Sequence, residues 1–446
     1  MLPTDLRQFM TLLDEAGMLA RIKKPVDIKH EIAAYIRKTS DARGPALLFE
    51  SVKDFSMPVV AGMFAHRQLM LMALGVSEDC AVERYLETLA KPLPTRIIEQ
   101  GSCQEKVQLG ADIDLGSLPA PIYSAEDSGA YITAGVAISA DIEDGTRNAS
   151  IYRFEIQGKN RLGVLAEPPH HLGIHYQKAE AVGRRLEVAI ALGTAPSVLV
   201  ATQWEAPYGT DELTLAGALQ GQALEVVKCR TVDLEVPATS EIIIEGQMLP
   251  DTREMEGPFG EYTGYYTAAY PKPVMEVTAI THRHNPIFQA MLTGEPTTEN
   301  HVLKMIPAEA SCYALLKQRF PSVERVHFHG AGGVGLLAIV AMKPQVKNEA
   351  RSVMTTMLGA QGTKVVIVVD TDVDIFDMDK VMWAVCTRSQ PDRDLITLSN
   401  LMGWQLDPSA PERGTYSVMG IDATKPVGED FSIVTKVPGV DDVPDF

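Results

Sequence analysis

The stretch EMEGPFGEYTGYY, residues 254–266, places Glu254, Glu256 and Glu261 among Gly257, Pro258 and Gly260. Proline lacks a backbone donor and clashes inside a helix, and glycine weakens one, so Glu256 and Glu261 belong to a shaped loop and not to a regular helical face. Two carboxylates beside a fixed arginine form a proton-handling set: burial raises one carboxyl pKa, the guanidinium lowers another, and one group is left as the acid. Arg153 in RNASIYRFEIQGKN (147–160) lies in an extended segment five residues after Asn148. The plain alternatives are a solvated turn at the loop and a surface or salt-bridged arginine.

A second constellation is EPPHHLGIHYQ (167–177), with His170, His171 and His175, three of the ten histidines within six residues. It reads either as a ligand cluster or as a helix-entry loop with solvated imidazoles. Glu212 opens the apolar helix of DELTLAG (211–217), where the helix dipole alone favours an acid. Asn148, a histidine and Glu212 from three segments would make an oxygen-rich site for a hard cation such as Mn²⁺ or Mg²⁺. GAGGVG (330–335) fits the dinucleotide fingerprint G-x-G-x-x-G, but LLAIVAM follows it and reads as a strand. The fingerprint needs a helix there to meet the pyrophosphate, so this is a loop between strands.

The elements that must position these groups follow from periodicity. In residues 1–105, TDLRQFMTLLDEAG sets Leu6, Phe9, Met10 and Leu13 at helical spacing and ends near Gly17; EIAAYIRKTS is a second helix, and PALLFE and PVVAGMF are buried strands. KPLPT (91–95) marks a boundary. Residues 106–298 are β-rich: YITAGVAISADIEDGTRNASIYRFEIQGKNRLGVLAE gives successive strands turning at EDGT and GKN, and SEIIIEGQML and PVMEVTAITHR are further strands. With HYQKAEAVGRRLE and DELTLAGALQG as inserted short helices, this region is expected to form a barrel-like sheet. ENHVLKMIPAEASCYALLKQRF (299–320) is a linker helix with an interruption at Pro307. In residues 321–446 the strands SVERVHFHG, VGLLAIVAM and KVVIVVD alternate with the helices NEARSVMTTMLG and KVMWAVCTR as a compact two-layer α/β unit. The Pro-, Gly- and Asp-rich tail after about residue 405 is expected to lie irregularly on the surface. The fold class is therefore mixed α/β (α+β).

Composition limits the function. The chain has 446 residues, 46% hydrophobic, and Lys+Arg 40 against Asp+Glu 58 give a net charge of −18. That balance argues against nucleic acid and anionic membranes as partners, and an anionic substrate needs a local cationic pocket. The five cysteines, Cys80, Cys103, Cys229, Cys312 and Cys386, are dispersed, as expected of reduced thiols. The N-terminus lacks signal-peptide organisation, and no run of about 18 apolar residues occurs, so a cytoplasmic location is expected.

NASIYR, ELTLAGALQGQALEVVKC, DLEVPATSEIIIEG, EGPFGEYTGYY and VMWAVCTR occur in this order, and together they closely resemble the UbiD family of reversible decarboxylases, which use prenylated FMN. The resemblance spans nearly the whole chain. It implies a central split β-barrel like that of flavin reductases at 106–298 and a C-terminal oligomerisation domain at 321–446. By motif, the family's metal ligands fall on Asn148, His171 and Glu212, where Mn²⁺ or Mg²⁺ would bridge protein and cofactor phosphate with K⁺ nearby. The doublet His170–His171 leaves the register open by one residue, and Gly173 and Gln177 favour His171. The catalytic Arg–Glu–Glu set falls on Arg153, Glu256 and Glu261. Cofactor contacts would come from Ile151, Tyr152, Arg153, Leu165, Ala166, Glu167, His170 and His171, together with Asn148 and Glu212. The resemblance implies that Glu261 protonates the product carbon, Glu256 holds Arg153, and Arg153 steers the substrate carboxylate. It also implies an aromatic, heteroaromatic or α,β-unsaturated acid and CO₂ as reactants, a flavin prenyltransferase as cofactor supplier, and a homodimer or homohexamer. Net carboxylation, or a non-catalytic flavin- or metal-binding scaffold, are the other readings. MLTGEPTTENHVLK (291–304) is expected to line the substrate side, where His301 either bonds the substrate or is a solvent-exposed helix-start residue.

Overall fold

The computed structural model describes residues 2–360, 362–410, 414–435 and 437–438. Its centre is a closed six-stranded antiparallel barrel. The strands are β1 (Tyr131–Ala140), β2 (Arg147–Ile156), β3 (Arg161–Val164), β4 (Leu186–Leu192), β5 (Ile242–Glu256) and β6 (Tyr270–His282). They pair in the order β5-β4-β1-β2-β3-β6, and β5 pairs again with β6, which closes the ring. A further strand, Lys106–Leu109, is added on β6. Closure explains why YITAGVAIS is buried at every position: β1 has barrel interior on one face and packed elements on the other.

Before the barrel, helices Leu6–Glu15 and Glu31–Asp41 pack with a four-stranded sheet. The sheet's last strand, Phe288–Gln289, comes from the far side of the barrel and lies parallel to Val59–Ala61. After the barrel comes a five-stranded sheet ordered 323–328, 337–342, 365–370, 415–423, 395–402. The GAGGVG segment is a short turn between the first two of these strands, as expected of a loop.

Three sequence expectations need correction. The segment after 405 is not wholly irregular: Thr415–Ala423 is a strand inside the sheet, parallel to Val365–Asp370. Its alternating buried positions and the partner on either side override the turn-rich composition around it; residues 411–413, 436 and 439–446 of that tail lie outside the described residues. Second, the C-terminal sheet carries helices on both faces. Val353, Met354 and Met357 of helix Glu349–Ala360 pack with Val366 and Val368, whereas Val381 and Ala384 of helix Met378–Arg388 pack with Ile367 and Val369. Strand periodicity of two sends alternate residues to opposite layers, so the unit has one layer more than expected. Third, the linker helix Glu299–Lys317 runs through Pro307 without a break. It is buried along much of its length, and tertiary packing holds it where the local signal says stop.

This helix also joins the two ends of the fold. Glu309, fully buried on it, accepts from Arg67 Nη1 and Nη2 at 2.9 and 2.8 Å and contacts His327 Nδ1 at 2.8 Å. Arg67 comes from helix Arg67–Leu74 and His327 from strand Val323–Phe328. Removing the cation leaves a buried carboxylate without its partner, which costs about 3 kcal/mol. Arg67→Met is therefore expected to lower the urea-unfolding midpoint by that equivalent, and an unchanged midpoint would show that the pair does not hold the two ends together.

Candidate active site

The centre of the site is Arg153 on β2. The β1–β2 ladder shifts register between the pairs Ile132–Phe154 and Gly135–Tyr152, so Arg153 sits opposite a bulge. Bulges re-aim side chains, and this one accompanies an arginine whose side chain is only 8% exposed. Nε and Nη2 donate to the two oxygens of Glu256 at 3.0 and 2.8 Å, a bidentate pair. Nη1 donates to Glu261 Oε1 and, at 3.1 Å, to Thr267 Oγ1. The Phe259 ring lies 4.9 Å from the guanidinium carbon. Burial pulls the Arg153 pKa down, but attraction to Glu261 and then Glu256 outweighs it, and the net shift is upward.

The loop that brings both carboxylates here is built as its sequence requires. Glu256 ends β5 opposite Tyr270, Gly257 turns the chain at φ +90°, and Phe259–Gly260 pairs with Tyr266–Thr267 as a short hairpin. The Glu155 carboxylate accepts the Gly257 N–H at 3.2 Å, and Asp127 accepts the Gly260 N–H at 2.8 Å. Gly260 has no room for a side chain, because a Cβ would meet Ser124 Oγ at 2.7 Å. Glu254, outside the pair, is ion-paired with Arg161 at the half-exposed barrel rim.

The second cluster gathers at the start of β2. Asn148 Oδ1 lies 3.1 Å from His171 Nδ1, and Glu212 Oε2 accepts the N–H of Ala149 at 2.8 Å. His171 opens helix α1 (His171–Ala181) and Glu212 opens helix α2 (Glu212–Gln220). Burial lifts the Glu212 carboxyl to about 7. Asn148 Nδ2 is buried without a partner among the described residues. Among the described residues no three His, Cys, Asp or Glu side chains converge as a metal site, and this set has only two of those types, with an amide oxygen as third donor. An amide oxygen, an imidazole and a buried carboxylate suit a hard divalent cation, and the unspent amide N–H suits an adjoining anion such as phosphate. The residues present therefore fit the metal and the phosphorylated flavin.

The remaining expected residues fall around this cluster. Ile151 and Tyr152 are half-buried on β2, and the Tyr152 ring meets His170 edge-on at 6.4 Å. Leu165, Ala166 and Glu167 follow β3, and Glu167 pairs with Lys272. A Cβ at Gly173 would meet the Glu167 backbone at 2.5 Å, so this segment rests directly on α1. His175 is buried one helical turn after His171, with Nδ1 at 2.9 Å from Ser139 Oγ, and both rings meet Tyr208 edge-on.

His301 is not solvent-exposed. Its ring is fully buried in α3 (Glu299–Lys317), Nδ1 accepts the Thr298 N–H at 3.0 Å, and Nε2 donates to the Tyr262 carbonyl at 2.6 Å. Both nitrogens are engaged within the protein, so a substrate hydrogen bond is not open to this ring as it stands. Sequence reasoning missed Thr267, Phe259, Asp127 and Glu155. Asp127 and Gly260 are 133 residues apart, and no local signal connects them.

The fold is that of a carboxy-lyase family. Family models for 3-octaprenyl-4-hydroxybenzoate carboxy-lyase match its N-terminal domain at residues 10–89, its Rift-related domain at 96–296 and its C-terminal domain at 301–423, and the chain belongs to this UbiD family. The chain is 34% identical over 444 residues to a phenolic acid decarboxylase of Bacillus subtilis, covering 95% of this chain and 93% of that protein. The UbiD-class enzyme HmfF from Pelotomaculum thermopropionicum in complex with FMN superposes with a TM-score of 0.93 at 40% identity, covering 99% of both chains. An evolved dimeric form of that enzyme in complex with prFMN gives 0.90 at 38% identity, again covering 99% of both. The vanillic acid decarboxylase of Sedimentibacter hydroxybenzoicus in open form gives 0.91 at 32% identity, covering 99% of this chain and 98% of that one. Among the described residues, no helix is long and apolar enough to cross a membrane.

The buried histidines give the site a pH signature. Burial depresses His301 from 6.5 to about 4. As pH falls the unfolded chain takes up this proton first, so the stability is intact above pH 6.5 and is lost between about 6.5 and 4. The melting temperature is expected to fall across that window, and less steeply in His301→Asn. An identical slope in the variant would remove His301 as a source of the acid sensitivity.

Proposed function

We propose that the protein catalyses reversible, prenylated-FMN-dependent decarboxylation of an aromatic, heteroaromatic or α,β-unsaturated acid at an sp² carbon. What supports this most is a buried arginine gripped by two carboxylates from one loop, a few residues along β2 from a metal-compatible cluster. The bound cofactor supplies an electron-accepting ring for the density left when the C–CO₂ bond breaks. Asn148, His171 and Glu212 would hold Mn²⁺ or Mg²⁺ beside its phosphate, with K⁺ nearby, and Ile151, Tyr152, Leu165, Ala166, Glu167 and His170 would line it.

The chain's own residues then divide the work. Arg153 supplies the local positive charge that draws a carboxylate into a protein of net charge −18. Glu256 spends both oxygens on Arg153 and fixes the plane of the guanidinium. Glu261 gives Arg153 one oxygen, and its other oxygen accepts the Tyr262 N–H at 3.1 Å. Because it gives Arg153 only one oxygen, it is the carboxylate left to deliver a proton to the carbon that CO₂ leaves. In the reverse direction the same oxygen accepts that proton. A small aromatic or heteroaromatic acid is the substrate class, in keeping with the phenolic acid and vanillic acid decarboxylases among the relatives. A flavin prenyltransferase supplies the cofactor, and the chain works in the cytoplasm as a homodimer or homohexamer.

Two outcomes are expected. Protein co-expressed with a flavin prenyltransferase should release CO₂ from at least one member of a panel of vanillic, 3,4-dihydroxybenzoic, furan-2-carboxylic, pyrrole-2-carboxylic and indole-3-carboxylic acids. Equal turnover by cofactor-free protein would sink the cofactor assignment. Glu261→Gln should retain cofactor but slow turnover and product H/D exchange in D₂O by ~10²–10⁴-fold, whereas Glu254→Gln should do little. Wild-type exchange in Glu261→Gln would take this residue out of the reaction.

A further inference from the structure

Glu261 lies in a loop that is held from two sides. From the barrel side, Asp127 and Glu155 bind its glycine N–H groups. On the other side stands Tyr262, whose own N–H donates to Glu261 Oε2 at 3.1 Å. Tyr262 is 7% exposed. Its ring stacks on His301 of α3 with centroids 4.6 Å apart and 25° between planes. Its other neighbour is Trp404, 5.3 Å away, from the C-terminal unit. Lys304 Nζ lies over both rings, 5.4 Å from Tyr262 and 5.2 Å from Trp404. The Tyr262 hydroxyl donates to the Val334 carbonyl at 3.3 Å, and its carbonyl accepts from His301 Nε2 at 2.6 Å. The next residue adds a further tie, with Thr263 Oγ1 donating to the Leu406 carbonyl at 3.0 Å. Trp404 is itself wedged into the C-terminal unit, because a Cβ at Gly335 would meet its ring at 1.9 Å.

We propose that Tyr262 is a positioning residue through which the C-terminal unit sets the orientation of the Glu261 carboxylate. The contacts converge on the one peptide N–H that binds the free oxygen of Glu261. Among the described residues, Glu256 is held by Arg153 alone among side chains and needs no such support. Arg153 fixes one oxygen of Glu261, and the Tyr262 N–H fixes the other, so the carboxylate plane follows the peptide that Trp404 and His301 clamp. A shift of the C-terminal unit relative to the barrel therefore changes the direction in which Glu261 presents its proton, without moving Arg153 or Glu256. The inference rests on the proton-donor reading of Glu261 and extends it to residues that touch no reactant.

The test is a double-mutant cycle on the holoenzyme, using the panel acid that wild type turns over fastest. Trp404→Leu, and separately Thr263→Val in case the first variant folds poorly, should lower kcat by about 10- to 100-fold, with KM and cofactor content within twofold. In the Glu261→Gln background the same changes should have no further effect, because they act through that carboxylate. A substrate-free readout runs in parallel. Backbone hydrogen exchange at Tyr262 should speed up in Trp404→Leu and in Thr263→Val, while exchange at Gly257 and Gly260 stays as in wild type. Effects that multiply in the cycle, a change confined to KM, or unchanged exchange at Tyr262 would each overturn the proposal while leaving Glu261 as proton donor. If Glu261→Gln itself is as fast as wild type, the proposal falls together with the reading on which it rests.

Discussion

The structure around the site depends on keeping one guanidinium ionised in the interior. Moving an ion out of water costs several kcal/mol, and the cost is offset only where geometry and hydrogen bonding are complete. Arg153 meets that condition with Glu256, Glu261, Thr267 and the face of Phe259. Every one of these partners comes from the last residue of β5 or from the segment between β5 and β6. That segment reaches Arg153 only because β5 and β6 pair and close the barrel, with Glu256 opposite Tyr270. Barrel closure and the charge cluster therefore support each other. An open barrel would leave Arg153 unpaired, and a missing carboxylate would leave a buried charge beside the seam.

The same constraint accounts for the surroundings. A carboxylate that neutralises Arg153 completely has little freedom left for chemistry, which is the position of Glu256. Glu261 shares its oxygens between Arg153 and a backbone N–H, so its orientation depends on how that backbone is held. The barrel side holds it through Asp127 and Glu155, and the C-terminal side through Tyr262 and Thr263. α3 runs between these parts with Glu309 tied to Arg67 and His327, so the N-terminal helices, the barrel and the C-terminal sheet meet along one buried helix. A site at such a seam is sensitive to how its two sides sit against each other.

Much of this was legible in the residues. The strand-forming runs YITAGVAISA and RNASIYRF, and the turns EDGT and GKN, mark β1, β2 and β3. The glycines and proline of EGPFGE mark a shaped loop, and the strand after GAGGVG separates it from a nucleotide motif. The errors have physical causes. Pro307 was read as an interruption because local propensity treats proline alone, whereas packing on several sides carries α3 through it. Thr415–Ala423 was lost among turn-forming residues because a strand between two partners needs little local signal. His301 was read as either a substrate contact or a solvent-exposed helix-start histidine, because nothing nearby in sequence shows that Tyr262 covers it.

The sequence by itself determined the types and rough positions of the candidate site residues: an arginine on a strand, two glutamates in a rigid loop, and an Asn–His–Glu set at the starts of three elements. These follow from local chemistry, from backbone restrictions at Gly and Pro and from hydrophobic period. Only the tertiary structure decided which glutamate gives both oxygens to Arg153 and which gives it one, that Asn148 meets His171, and that Tyr262 stands between Glu261 and the C-terminal unit. Those are contacts across 23 to 142 residues of chain. They depend on strand register, on the bulge opposite Arg153 and on the closing of a barrel, and none of these is written in any short stretch of residues.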